Sequence, residues 1–142
     1  MSRAGVRGLN HLTLAVSDLE RSVGFYRDVL GCRLRARWND GAYLDAGALW
    51  LCLSLDPRAK GVERPDYTHV AFDVSADGFD ALAAHIASQA PLWKENNSEG
   101  NSLYFLDPDN HRLELHVGSL SSRLDHYRLT PDSAVSVFAT NA

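Results

Sequence analysis

The chain has 142 residues, which is enough for one domain with a sizeable buried core. Apolar residues make up 45% of it and charged residues 23%, as is usual for a globular protein. The net charge of −4, with no run of Lys or Arg, argues against a nucleic-acid partner. No apolar segment is long enough to cross a bilayer, so no membrane partner is expected.

Cysteine usage bears on the compartment. The chain has two cysteines, Cys32 and Cys52, without a CxxC pair or any other disulfide framework. Free thiols are typical of a reducing compartment, and the N-terminus carries no apolar region of the kind found in signal peptides. These features predict a cytoplasmic protein.

The first half of the chain predicts one strand, one helix and three further strands. Residues 9–16 alternate between apolar and polar or small side chains, with the period of a strand. Ser17 and Glu20 match a capping box, which predicts that Ser17 caps the following helix. Gly31 stands where a helix commonly ends. The next three strands are predicted at residues 33–38, 41–46 and 48–54.

The second half repeats this order after a polar, proline-bounded linker at residues 56–65. It predicts a strand at 68–74, a helix capped by Ser75, and strands at 91–94, 102–106 and 111–117. The chain therefore contains an internal repeat of two βαβββ modules, at about 9–55 and 66–117, followed by a C-terminal tail. We expect residues 1–142 to form a single α+β domain.

An overlay of the two modules brings chemically active residue types to equivalent positions. It gives three pairs: His11 with His69, Thr13 with Ala71, and Cys52 with Glu114. The helices of both modules are predicted to pack on the leucine-rich faces of the strands. The opposite faces, which carry two histidines and one carboxylate, are then free to line a shared cavity.

Two imidazoles and a carboxylate from different strands are typical of a site for a first-row divalent metal with open coordination positions. His11, His69 and Glu114 are therefore candidate ligands, and a metal there could polarise a substrate oxygen. The alternative is that both histidines are ordinary strand residues. His116 shares the face of Glu114 and is an alternative ligand. The remaining histidines are expected at the surface: His85, His111 and His126.

A polar loop precedes the last two strands. Oxygen-bearing positions alternate along it at Asn96, Ser98, Gly100 and Ser102, a pattern that suits a monovalent cation or an anion, although a plain solvated loop is the alternative. Lys94 and Arg123 are candidate anion clamps.

Four aromatic residues could line a pocket or pack in the core: Tyr43, Trp50, Tyr67 and Tyr104. Cys52 has no base predicted beside it, so we expect it to pack rather than to act as a nucleophile.

Six segments carry a resemblance to a known family: GLNHLTLAVSDLERSVGFYRDVLG, ARWNDGAYL, LWLCLS, DYTH, SEGNS and YFLDPDNHRLELHVGSL. The paired modules with two histidines and a glutamate resemble the vicinal oxygen chelate superfamily. The six segments, which span about Gly8 to Arg123, more narrowly resemble fosfomycin-resistance glutathione transferases of the FosA type. The resemblance implies a cup-shaped mixed sheet around a metal site.

It also implies roles for individual residues. A manganese ion (Mn2+) would be held by His11, His69 and Glu114, and a potassium ion (K+) by Asn96, Ser98, Gly100 and Ser102. Fosfomycin would be contacted by Thr13, Lys94, Tyr104 and Arg123, with Ser98 close to its phosphonate. Trp50 and Tyr67 would shape the pocket, and Tyr43 would lie towards the thiol. Members of the family are homodimers in which the first-module histidine comes from one subunit and the other metal ligands from its partner.

The resemblance implies that glutathione opens the epoxide of fosfomycin. Three alternatives remain: the same reaction with water or another thiol, a glyoxalase or extradiol dioxygenase of the same superfamily, and a protein that only sequesters the drug. One departure is Asn110, which replaces the glycine of the usual DPDGH turn; Asn tolerates the left-handed conformation, so the turn is expected to survive. The tail after Arg123 diverges from the family and is expected either to be disordered or to contribute to the thiol site.

Overall fold

The computed structural model describes residues 3–140, which form two compact units. The first unit contains the described residues up to Thr68 together with Leu106–Arg112. The second contains His69–Phe105 and the described residues from Leu113 onward. Among the described helices, none has the length and apolar character needed to cross a membrane.

The first unit contains the first module. Its elements are β1 (His11–Val16), α1 (Leu19–Gly24), β2 (Arg33–Trp38), β3 (Gly41–Ala46) and β4 (Leu49–Leu55). A π-helical segment, Phe25–Val29, continues α1, and a 3-10 turn, Pro57–Ala59, follows β4. The sheet order is β1-β4-β3-β2, with β1 parallel to β4 and the other pairs antiparallel. The strands predicted at 33–38 and 41–46 are confirmed to the residue.

The start of α1 differs from the prediction. The N-cap is Asp18, whose side chain accepts a hydrogen bond from the backbone N–H of Arg21 at 3.0 Å. Ser17 instead donates from its backbone N–H and its hydroxyl to the carboxylate of Asp109, 92 residues further along the chain. A capping pattern reads only local residues, so it could not reveal that Ser17 has this distant partner. The predicted helix end is confirmed, since Gly31 has a φ of 75°.

The second unit contains most of the second module. Its elements are β5 (Val70–Asp73), α2 (Ala76–Gln89), β6 (Leu92–Lys94), β7 (Ser102–Leu106), β8 (Arg112–His116) and α3 (Leu120–Arg128). The sheet order, β5-β8-β7-β6, repeats that of the first module, again with the first and last strands parallel. Ser75 caps α2 as predicted, and its hydroxyl oxygen accepts a hydrogen bond from the Gly78 N–H.

The strand registers confirm the overlay of the two modules. Cys52 lies opposite Thr13 across the β1–β4 pair, and Glu114 lies opposite Ala71 across the β5–β8 pair. The same backbone position therefore carries a thiol in one module and a carboxylate in the other.

Helix α3 was not among the predicted elements. It begins after Ser119, whose side chain accepts from the Ser122 N–H while the Ser122 hydroxyl oxygen accepts from the Ser119 N–H. This reciprocal pair is a capping box built from two serines, and the usual Glu or Gln signal is missing. Residues 129–140 contain no helix or strand, and a role of this tail at a thiol site stays a prediction.

The turn between β7 and β8 belongs to the first unit. Asn110 adopts a φ of 65°, so the expected left-handed conformation is confirmed. Asp107 is buried and accepts hydrogen bonds from the backbone N–H groups of Asp109 and His111. His111 is half-buried and donates from Nε2 to the carbonyl oxygen of Ala15 at 2.8 Å. The prediction that His111 is a surface residue was wrong, whereas His85 and His126 are exposed as predicted.

Tyr26 ties the helical segment after α1 to this turn. Its side chain is fully buried, and its hydroxyl donates to Oδ2 of Asp107 at 2.7 Å. Burial, followed by the negative charge of Asp107, raises the pKa of Tyr26 well above its ordinary value. The phenol therefore keeps its hydrogen and remains a hydrogen-bond donor at neutral pH.

Removal of this hydroxyl should destabilise the fold. Because Asp107 is buried and loses a donor, Tyr26→Phe is expected to lower the free energy of unfolding by about 1.5–3 kcal/mol, the range for hydrogen bonds to charged groups. Urea denaturation followed by circular dichroism measures the loss. Tyr43→Phe is the matched control, since Tyr43 is 37% exposed, and it should change stability by less than about 0.5 kcal/mol. Equal losses in the two variants would contradict the role given to Tyr26.

Candidate functional site

A buried carboxylate lies in the middle of β8 in the second unit. Glu114 is 7% exposed. Its Oε1 lies 3.1 Å from Nε2 of His69, and its Oε2 accepts a hydrogen bond from the Ser102 hydroxyl at 2.7 Å. An ionised carboxylate at this depth would be strongly destabilising without such partners. The structure thus brings together two of the three predicted metal ligands.

His116 contacts the other side of the same carboxylate. Its Nδ1 lies 2.6 Å from Ser102 Oγ and 3.3 Å from Glu114 Oε2. His69 and His116 therefore approach different oxygens of Glu114 and do not converge on one point. Within residues 3–140, no group of three or more His, Cys, Asp or Glu side chains is arranged to hold a metal ion. The third predicted ligand, His11, belongs to the first unit.

The spacing of His69 and Glu114 suits two ligands of a single ion. A nitrogen and an oxygen that are each about 2.1 Å from an ion, at a near-octahedral angle, lie about 3 Å apart. The observed separation of Nε2 and Oε1 is 3.1 Å. An imidazole and a carboxylate are also a ligand set that first-row divalent metals accept. The distance between these two atoms is therefore compatible with two ligands of one divalent ion.

The oxygen-rich loop is folded around Asn96. Its Oδ1 accepts hydrogen bonds from the backbone N–H and the hydroxyl of Ser98, both at 3.0 Å, and its Nδ2 donates to the Gly100 carbonyl at 2.8 Å. Gly100 has a φ of 84°, and a Cβ there would lie 2.4 Å from the Val117 carbonyl oxygen, so only glycine fits. The loop gathers Asn96, Ser98 and Gly100, whereas Ser102 is bonded to Glu114.

The two candidate anion clamps have different surroundings. Lys94 Nζ lies 4.4 Å from the centre of the Tyr104 ring, in the range of a cation–π contact. Arg123 donates from Nε to Glu99 Oε2 at 3.1 Å and from Nη2 to the Glu99 carbonyl at 3.0 Å. The hydrogen bond to Glu99 raises the pKa of Arg123, so this guanidinium remains charged and fixed in place.

Sequence reasoning gave no role to Glu99 or to Trp93. Glu99 lies within the SEGNS segment, but its pairing with Arg123 spans 24 residues and has no local signal. The Trp93 indole N–H donates to the Leu113 carbonyl at 3.0 Å, and its ring packs edge-on against His69 and Tyr104. Trp93 therefore supports both a predicted metal ligand and a predicted substrate contact.

The first unit carries a row of aromatic side chains beside His11. The ring centres of His11 and Trp50 are 4.5 Å apart, those of Trp50 and Tyr43 are 5.2 Å apart, and those of Tyr43 and Trp38 are 4.8 Å apart. His11 Nδ1 also lies 2.7 Å from Asn10 Oδ1. The row crosses all four strands of its sheet, so residues distant in sequence form one surface.

Exposure separates the four aromatic candidates. Trp50 is 40% exposed, Tyr43 37% and Tyr67 55%, so none of these three is a core residue. Tyr104, at 3%, is buried against Lys94 and Trp93.

Thr13 and Cys52, which face each other across the β1–β4 pair, differ in solvent exposure. Thr13 is exposed, while its cross-strand neighbour Cys52 is buried, which supports a packing role for the thiol. Both cysteines are free, and burial raises the pKa of the Cys32 thiol to about 11, so Cys32 is unreactive at neutral pH.

Comparison with known proteins defines the class. The family model of the Glyoxalase/Bleomycin resistance protein/Dioxygenase superfamily matches residues 8–115. FosX of Listeria monocytogenes, a fosfomycin resistance protein whose crystal structure contains Mn(II) and a sulfate ion, superposes with a TM-score of 0.72 at 28% identity. The superposition covers 84% of this chain and 99% of that one.

Two curated relatives narrow the class further. Glutathione transferase FosA of Serratia marcescens is 53% identical over 129 residues, which cover 89% of this chain and 92% of the relative. Metallothiol transferase FosB of Lysinibacillus sphaericus is 39% identical over 131 residues, covering 87% and 91%. The chain belongs to the Glyoxalase/Bleomycin resistance protein/Dioxygenase superfamily and, within it, to the glutathione transferases of the FosA type.

The role of Asn96 in ordering the loop can be tested directly. Asn96→Ala removes three hydrogen bonds that hold the loop together. Hydrogen exchange followed by mass spectrometry should therefore show faster exchange over residues 95–101, with the exchange of β7 and β8 unchanged. Asn101→Ala is the matched control, because Asn101 contributes its backbone carbonyl to Val117 and keeps it in the variant. Equal exchange in the wild type and Asn96→Ala would overturn this account of the loop.

Proposed function

We propose that this protein is a metal-dependent glutathione transferase that opens the epoxide of fosfomycin by addition of the thiol, and so confers resistance to that antibiotic. The observation that carries the proposal is the pair of half-buried His69 and buried Glu114, whose Nε2 and Oε1 atoms lie 3.1 Å apart, in a chain 53% identical to glutathione transferase FosA. Both free cysteines are compatible with a reducing, cytoplasmic environment, where glutathione is available.

The metal ligands in this proposal are His69 and Glu114 from the second unit and His11 from the first. A divalent ion, Mn2+ by analogy with the Mn(II) in FosX, supplies a Lewis acid to the epoxide oxygen when it is bound. Ser102 holds Oε2 of Glu114, while Trp93 packs against the ring of His69. These contacts limit the freedom of both side chains before any ion arrives.

The phosphonate of fosfomycin is assigned to the cations of the second unit. Lys94 and Arg123 bind its oxygens, the hydroxyl group of Tyr104 donates a hydrogen bond to it, and Ser98 lies close to it. The loop oxygens of Asn96, Ser98, Gly100 and Ser102 would hold a potassium ion, which would supply one further positive charge to offset that of the anion. Charges placed before the reaction begins cost no reorganisation when the barrier is crossed.

The chemical step is a substitution at the ring carbon next to phosphorus. The glutathione thiolate forms a carbon–sulfur bond there while the carbon–oxygen bond of the epoxide breaks, and the electron pair passes to that oxygen. Thr13 donates a hydrogen bond to the developing oxyanion, which then takes a proton from water. Trp50 and Tyr67 bound the pocket, and Tyr43 lies on the thiol side, so these rings orient the attack.

The second candidate function is the same opening of the epoxide by a nucleophile other than glutathione. FosB of Lysinibacillus sphaericus, named a metallothiol transferase, is 39% identical to this chain, which favours testing other low-molecular-weight thiols beside glutathione. Hydration by water is tested in the same assay. A protein that binds fosfomycin without transforming it remains a third outcome of that assay.

The reaction can be identified by product mass. Purified protein incubated with fosfomycin, Mn2+, K+ and glutathione should yield a product heavier than fosfomycin by one glutathione. Glu114→Gln should reduce turnover by about 10²-fold or more, because it removes a charged ligand while keeping the side-chain shape. Glu20→Gln, an exposed substitution on α1, should retain full activity. A diol product, an adduct of another thiol only, or drug binding without product would each refute glutathione transfer.

We propose further that the protein is a homodimer in which His11 of one subunit serves the site formed by His69 and Glu114 of its partner. Mixing the inactive variants His11→Ala and Glu114→Gln, with subunit exchange, tests this arrangement. In such a dimer one of the two sites contains intact ligands from both chains, so activity should return to about a quarter of the wild-type level when exchange is random. If each chain builds its own site, the mixture stays inactive. Analytical ultracentrifugation of each variant verifies that dimers form.

A further inference from the structure

One ring beside Glu114 has no role in the function proposed above. Nδ1 of His116 lies 2.6 Å from Ser102 Oγ, and Ser102 Oγ lies 2.7 Å from Glu114 Oε2. These three groups form a chain that ends on the oxygen of Glu114 that His69 does not contact. These three groups are largely shielded from solvent, since the side chain of His116 is 18% exposed and that of Glu114 9%.

Counting hydrogens shows which group donates and which accepts in each of these two hydrogen bonds. The Ser102 hydroxyl has one hydrogen, and an ionised carboxylate can only accept. The short contact with Glu114 therefore requires Ser102 to donate its hydrogen to Oε2. That hydrogen cannot also serve the contact with His116, so Nδ1 must carry a hydrogen and donate it to Ser102 Oγ. The order is His116 Nδ1–H to Ser102 Oγ–H to Glu114 Oε2.

The ring of His116 occupies a space that two glycines leave open. A Cβ on Gly100 would lie 2.9 Å from His116 Cε1, and a Cβ on Gly118 would lie 3.1 Å from Nε2. Both glycines have positive φ, 84° and 140°, so a side chain is disfavoured at each by the backbone as well. The imidazole is thus held at a defined position, which the donation from Nδ1 requires.

We propose that His116 is a positioning residue that fixes Glu114 through Ser102, so that Oε1 alone faces His69 and the metal. The inference rests on the proposed role of Glu114 as a metal ligand. Because Oε2 is held by the Ser102 hydroxyl, Glu114 binds through one oxygen. Ser102 Oγ keeps one lone pair after accepting from His116, so it can still serve the oxygen-rich loop. His116 therefore acts on the metal site without being a ligand.

The tautomer of His116 is the first test, and it needs no variant. A long-range proton–nitrogen correlation spectrum of the full chain, recorded at mildly alkaline pH, distinguishes a protonated from an unprotonated Nδ1. We expect hydrogen on Nδ1 and none on Nε2, the less common tautomer of a neutral histidine. Hydrogen on Nε2 would reverse the direction of the chain and overturn the inference.

The second test replaces His116 by Asn or by Gln, whose amide groups lie at different distances from the backbone. Asn at position 116 places its amide near the position of Nδ1, whereas Gln carries the same amide one methylene further, near Nε2. Isothermal titration with Mn2+ should show that His116→Gln weakens binding about 10–100-fold, as loss of an outer-shell partner usually does. His116→Asn should remain within about threefold of the wild type. His85→Gln, an exposed substitution on α2, is the control and should bind as the wild type does.

The outcomes separate this inference from the proposed function. Equal Mn2+ affinity in His116→Gln and the wild type overturns the role of His116, whatever the enzyme catalyses. A graded loss of affinity without any glutathione adduct of fosfomycin supports the role of His116 and refutes the proposed reaction. A wild-type protein that binds no Mn2+ refutes both.

Discussion

The second unit depends on the burial of one charged group, the carboxylate of Glu114. An ion in a low-dielectric interior costs several kcal/mol unless neighbouring groups compensate it. The strand order provides them, because β8 lies between β5 and β7 and its central residue can be reached from both sides. His69, just before β5, contacts one oxygen, and Ser102, the first residue of β7, contacts the other. The contacts that compensate the buried charge therefore also fix the position of the carboxylate, which the proposed role as a metal ligand requires.

The first module shows what the same backbone position does without a charge. Cys52 lies in the register of Glu114, opposite Thr13, and is buried as a small apolar side chain that needs no compensating partners. The polar network of the second module is accordingly replaced by a row of aromatic rings that ends at His11. The duplicated scaffold preserves strand order and register, while the chemistry of its two copies diverges. Of the two equivalent positions only 114 carries a carboxylate, which is consistent with one metal site per chain in the proposed enzyme.

Patterns that depend on near neighbours in sequence were predictable. They include the strands at 33–38, 41–46 and 102–106, the Ser75 cap, the left-handed Asn110 and the overlay of the two modules. The residues that were wrongly predicted or missed have hydrogen-bond partners that are distant in sequence. Ser17 binds Asp109 instead of capping α1, His111 binds the Ala15 carbonyl instead of water, and Glu99 pairs with Arg123. Helix α3 was not predicted because its capping box has Ser122 at the position where a glutamate is usual. Periodicity reports which face of a strand is apolar, but it carries no information on which remote polar group completes a hydrogen bond.

The pairing of Arg123 with Glu99 explains why an anion site here would benefit from a further cation. Arg123 donates to Glu99 through Nε and Nη2, which lie on one edge of the planar guanidinium, so the ion pair orients the group while the carboxylate offsets part of its positive charge. In the proposed enzyme, a phosphonate dianion beside this pair would also meet the positive charge of Lys94, which lies 4.4 Å from the centre of the Tyr104 ring. One lysine balances one of the two negative charges. A potassium ion, if the loop organised by Asn96 holds one as proposed, would supply a further positive charge. Ser102 follows that loop and donates a hydrogen bond to Glu114, so in the proposed enzyme it would connect the cation site to the metal ligand.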